Sequence, residues 1–136
     1  MKYITLIIGL LVAGCGKQEQ ATTVKPVKEL TLEEKVAGTY EVKANHSSVE
    51  HQVTGRYVIL KNGVVESYRN DPPSFTKSDE HKWKIVDGDI HIKYDNGAID
   101  VYRINKDGSL NGVAMIGDGK RTDTPKEFQN TYKKIK

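Results

Sequence analysis

The sequence predicts an all-β fold: a single antiparallel up-and-down β-meander that closes into a small barrel or half-barrel behind a short N-terminal helical turn. Two observations predict it. Beyond Val36 the apolar residues alternate with polar ones at period two, and turn dipeptides punctuate that pattern at Asn62-Gly63, Asp87-Gly88, Asn96-Gly97 and Asp107-Gly108. Asn, Asp and Gly tolerate the positive φ that tight hairpins need, and the last three of these glycines fall 9 and 11 residues apart, the spacing of consecutive antiparallel strands. A run of about eight short strands joined by hairpins closes most economically on itself, because closure removes exposed edges. A two-sheet sandwich is the alternative.

The first element in chain order is not part of that domain. Lys2 supplies a short positive region, an apolar stretch follows from Ile4 to Val12, and Ala13 and Gly14 are small residues directly before Cys15. The apolar stretch is too short to span a bilayer, which takes about 20 residues, but it suits a signal peptide. Leu11-Val12-Ala13-Gly14-Cys15 resembles the lipobox of bacterial lipoproteins. The resemblance implies that Cys15 is the lipidation site, that residues 1–14 are a signal peptide removed before it, and that fatty chains at Cys15 anchor the chain stably in the cell envelope. Gly16 rather than an acidic residue follows the cysteine, which by the family's sorting habit implies the outer membrane, facing the periplasm, in a Gram-negative host. Cys15 is the sole cysteine, so no intramolecular disulfide can staple the fold.

Residues 15–30 carry no hydrophobic periodicity and hold Pro26, so they read as a flexible tether. Thr31 with Glu34 three residues later is a capping box, which predicts a helical turn over residues 32–36 ended by Gly38. The domain then runs over residues 31–136. Its predicted strands cover residues 38–43, 55–61, 64–69, 81–86, 90–94, 98–104, 109–116 and 128–135, with a further one around 48–53. Ile90, Ile92 and Tyr94 alternate with His91, Lys93 and Asp95, the cleanest period in the chain. Residues 70–80, holding Pro72, Pro73 and Phe75, form the longest expected break between strands, and residues 117–126 a second loop.

Gly38-Thr39-Tyr40 after a helical turn looks like the opening of lipocalin and fatty-acid-binding barrels, and the run from Lys82-Trp83 to Leu110 looks like small uncharacterised bacterial lipoproteins with lipocalin-like domains. The resemblance implies a calycin-type barrel. The last strand, Asn130-Thr131-Tyr132-Lys133, lacks the Arg-x-Tyr pair with which fatty-acid-binding proteins grip a carboxylate. Envelope lysozyme inhibitors are similar in being small barrel lipoproteins.

Composition narrows the function. The chain of 136 residues is 37% hydrophobic, and without the greasy leader the remainder is about 33%, lean enough to argue against a wide cavity. A formal net charge of +3 with interspersed signs is not a nucleic-acid footprint. His46, His51, His81 and His91 lack metal-ligand spacing, and the Asp-Gly pairs lack the spaced oxygens of a calcium loop. There is no nucleophile elbow, triad order or phosphate loop. The expectation is therefore a non-enzymatic module without metal or cofactor, binding a small amphipathic ligand. Its candidate pocket residues are Trp83, Tyr94, Val101 and Arg103. Arg103 shares parity with Ile99 and Val101, and facing inward it would meet a ligand carboxylate or phosphate; in the other register Tyr102 and Ile104 face inward and Arg103 stays outside. The alternative is a protein–protein interaction or inhibitor module of the envelope, working through Pro72, Pro73 and Phe75.

Overall fold

The computed structural model describes residues 26–43, 53–71 and 73–136. Cys15, the expected signal peptide, most of the expected tether, His46, His51 and Pro72 lie outside the described residues, as does the expected strand at 48–53 except for its last residue. The domain starts with helix α1 (Leu32–Val36). Thr31 accepts from the Glu34 amide at 3.2 Å and the Glu34 carboxylate accepts from the Thr31 amide at 2.9 Å, so the capping box is complete.

Among the described residues nine strands follow: β1 (Gly38–Lys43), β2 (Val53–Ile59), β3 (Val64–Asp71), β4 (Ser74–Val86), β5 (Asp89–Lys93), β6 (Ile99–Ile104), β7 (Leu110–Gly117), β8 (Lys120–Asp123) and β9 (Thr131–Lys134). A 3-10 turn at Lys126–Phe128 precedes β9. Strands β1 to β7 pair in sequence, and β9 pairs with both β1 and β7, so eight antiparallel strands form a closed barrel. β8 is the extra strand. It pairs with the second half of β7, where β9 has already left that strand.

Two expected loops are largely strand. Residues 70–80 form the outer part of a β3–β4 hairpin: Tyr68 lies opposite Lys77, Arg69 opposite Thr76 and Asn70 opposite Phe75. Their polar sequence carries no burial signal because both faces there are wet, yet backbone pairing with β3 alone suffices to hold them. Residues 117–126 likewise contain β8, all of whose residues are exposed.

One end of the barrel is filled and plugged. Val36 of α1, Ile59, Val65, Ile90 and Leu110 pack there with almost no exposure. The Tyr40 hydroxyl donates to the Val36 carbonyl at 2.7 Å, and Trp83 Nε1 donates to the Leu60 carbonyl at 2.8 Å. Both bonds satisfy the polar atom of a large buried ring. A second, smaller apolar cluster, Val101 with Val113 and Ala114, sits on the other face of β6 and β7. Among the described residues no helix is long and apolar enough to cross a membrane.

A tyrosine-lined candidate binding site

Above the aliphatic floor the lumen becomes aromatic and polar, and each residue's place follows from strand register. Paired residues of antiparallel strands share a face. Ile92 lies opposite Asp100 and Ile90 opposite Tyr102, so the inward parity of β5 carries Asp100 and Tyr102 inward on β6. Tyr57 lies opposite Tyr40, and Tyr132 opposite both Val42 and Leu110. Tyr94 ends the inward series of β5 and is held by a turn, its amide donating to the Ala98 carbonyl at 2.9 Å.

These residues make one layer. The rings of Tyr57 and Tyr132 stack at 5.0 Å with 14° between planes, and Tyr102 stands perpendicular to both at 6.2 and 5.3 Å. Tyr94 donates its hydroxyl to Asp100 Oδ2 at 2.6 Å, and the Tyr102 hydroxyl makes a longer contact of 3.5 Å with the same oxygen. His81, from β4, packs edge-on against Tyr94 with centroids 4.5 Å apart. Its side chain is 8% exposed, and Nδ1 has no hydrogen-bond partner among the described residues.

Burial pushes the hydroxyls of Tyr94, Tyr102 and Tyr132 well above the ordinary phenol range, and neighbouring tyrosines and Asp100 add to the shift. All three therefore stay protonated at physiological pH and remain available as donors. Beside the layer, where β7 parts from β9, lies a cavity of about 270 Å³ walled by Asp100, Tyr102, Phe128 and Tyr132 among others. Among the described residues Asp100 is the one charged residue in its lining. The volume sits just under the range of typical small-molecule pockets, about 300–1,000 Å³.

The four residues expected to form a pocket do not share one space. Tyr94 is in the tyrosine layer. Trp83 is inside the barrel but at the plugged end. Val101, at 0% exposure, packs with Val113 and Ala114 on the opposite face of β6 and also lines the cavity beside Tyr102, whereas Arg103 lies on that outer side, its side chain 60% exposed and 4.0 Å from Asp89. Tyr102 and Ile104 are the inward pair. Pro73 is exposed at the hairpin tip, while Phe75 lies half-buried against the guanidinium of Arg56, 3.9 Å from the ring centroid. Asp100, Tyr57, Tyr132 and His81 were not among the expected site residues. No parity signal on β6 singles out Asp100, and the convergence of β2 and β9 on it required the barrel. Among the described residues no three His, Cys, Asp or Glu side chains gather as a metal ion would need. The chain matches no protein-family model and no curated protein.

Proposed function

We propose that the chain is a lipid-anchored, non-enzymatic module of the cell envelope that binds a small amphipathic ligand at the tyrosine-lined end of its barrel. One observation carries this reading: four tyrosines and a carboxylate from β2, β5, β6 and β9 converge beside a cavity, while the opposite end is filled with aliphatic side chains. Tyrosine rings offer flat apolar surface, and their hydroxyls offer directional hydrogen bonds, at little entropic cost. A site of this composition suits a ligand with an apolar body and a polar head. The cavity of about 270 Å³ limits it to a small molecule rather than a long acyl chain. The anchor in this reading is Cys15, and the location is the outer membrane facing the periplasm if the host is Gram-negative.

Native mass spectrometry of the protein, purified gently from the membranes of its own host, tests the reading. The expected result is a bound small molecule that is lost when Tyr102 and Tyr132 are both replaced by Leu. A uniformly ligand-free protein would overturn it.

A second reading is a protein–protein contact through the β3–β4 hairpin. It is favoured by the pairing pattern: β4 pairs with β5 only from Lys82 onward, so residues 74–81 pair with β3 alone. Such an edge can accept a strand from another chain. In-cell crosslinking decides it: removal of residues 71–76 should abolish a crosslinked species, and an unchanged pattern would exclude the hairpin as the contact.

A further inference from the structure

We infer that the cavity at the tyrosine layer selects organic cations, taking the ammonium end of a small amine between Asp100 and the rings of Tyr102 and Tyr132. This rests on the binding reading above and specifies its ligand class. Charge is the first argument. Among the described residues Asp100 is the one charged residue in the cavity lining, so an anionic head would meet a like charge with no counterion among them. Arg103, the nearest basic residue on β6, lies on the outer side and approaches Asp89.

Ring chemistry is the second argument. The face of a phenol ring carries negative quadrupole density and attracts an ammonium group within about 6 Å of its centroid. Burial keeps the Tyr102 and Tyr132 hydroxyls protonated, so both rings are neutral phenols. Perpendicular packing of Tyr102 against Tyr132, at 5.3 Å, sets two differently oriented ring surfaces into one wall, as an aromatic cage requires. Phe128 adds a third ring to the lining.

The third argument is orientation. Tyr94 and Tyr102 both direct their hydroxyls at Oδ2 of Asp100, which pins the carboxylate before any ligand arrives. A preorganised acceptor loses little freedom on binding. A neutral hydrocarbon gains only apolar contact here and leaves the carboxylate without a partner of opposite charge, and the floor beyond is already occupied by Val65, Ile90 and Leu110.

Calorimetric titration of the purified full-length protein tests the inference with three probes of similar size: butylammonium, 1-pentanol and pentanoate. Butylammonium should bind at least about tenfold tighter than either of the others. Asp100→Asn keeps an oxygen acceptor for Tyr94, so the melting temperature should hold while butylammonium binding weakens by about tenfold or more. Arg103→Gln, on the outer side, should leave all three affinities unchanged. Equal or tighter binding of pentanol or pentanoate overturns the cation assignment and leaves the binding module standing. So does an Asp100→Asn protein that binds butylammonium as well as the parent. Binding of none of the three also overturns the assignment, whereas the binding module itself fails only on a ligand-free native mass spectrum.

Discussion

Tyr40 shows how one side chain ties the plug to the barrel. Its ring is 1% exposed and its hydroxyl donates to Val36 on α1, so Tyr40→Phe should cost about 1 kcal/mol in chemical denaturation at neutral pH. Burial also pushes the Tyr40 hydroxyl up to about 12 from an ordinary value of 10.0. The unfolded chain therefore releases this proton first. Between roughly pH 10 and pH 12 the folded state holds more protons, and its stability falls as pH rises. Tyr94, Tyr102 and Tyr132, shifted in the same direction, steepen the fall. Each contributes up to about 1.4 kcal/mol per pH unit. Denaturation across alkaline pH should show no such loss below pH 10, and Tyr40→Phe should lessen the slope above it; equal slopes would refute the assignment. At this scale the sequence was half legible. The inward series Ile90, Ile92, Tyr94 could be read directly, but for β6 two parities were open, since Ile99, Val101 and Arg103 offered as good a stripe as Tyr102 and Ile104. The structure resolves the tie by burying both: Val101 has its own small cluster. A two-sided apolar strand carries no parity signal.

Among the elements, the start of β1 is the most constrained. Gly38 has φ +153, and a Cβ there would collide with the Lys136 carbonyl oxygen and with the Lys134 side chain. That carbonyl also accepts from the Thr39 amide at 3.0 Å, so the obstacle is fixed backbone. Gly88, in the β4–β5 turn, has φ +84 with open space around it. Gly88→Ala should therefore cost only the left-handed strain of about 1–2 kcal/mol, and Gly38→Ala clearly more; thermal unfolding of the two variants checks the order. The turns were legible because Asn-Gly and Asp-Gly are chemical instructions for positive φ. The outer β3–β4 hairpin was not, because Pro72-Pro73 and a polar run read as a break, and the signal for a strand that buries neither face lies in its partner. The last strand was expected from residue 128, but the pairing starts at Thr131 after a 3-10 turn.

For the whole molecule, closure is uneven around the ring. β3 and β4 share eight register pairs, whereas β7 and β9 share only Leu110 with Tyr132 and Asn111 with Thr131. The amide of Gly112, which donates to the Asn130 carbonyl at 3.1 Å, should exchange with solvent much faster than the amides of β5, which is paired on both sides. Hydrogen exchange read by NMR measures this, and uniform protection around the ring would contradict it. This seam borders the cavity, so the stretch of wall with the fewest register pairs is also the one beside the candidate site. Cys15→Ala should release the protein from membranes on fractionation, and continued retention would exclude the lipid anchor. The barrel class was legible because hairpin spacing repeats along the chain; the site was not, because four strands distant in sequence meet only on closure. The plug α1 is also where residues preceding the domain join it, on the side away from the tyrosines. In the lipid-anchored form proposed above, the stem of this cup therefore enters at the plugged base, and the tyrosine-lined rim is free of it. Cargo would reach that rim without passing the stem, whichever way the cup leans on its tether.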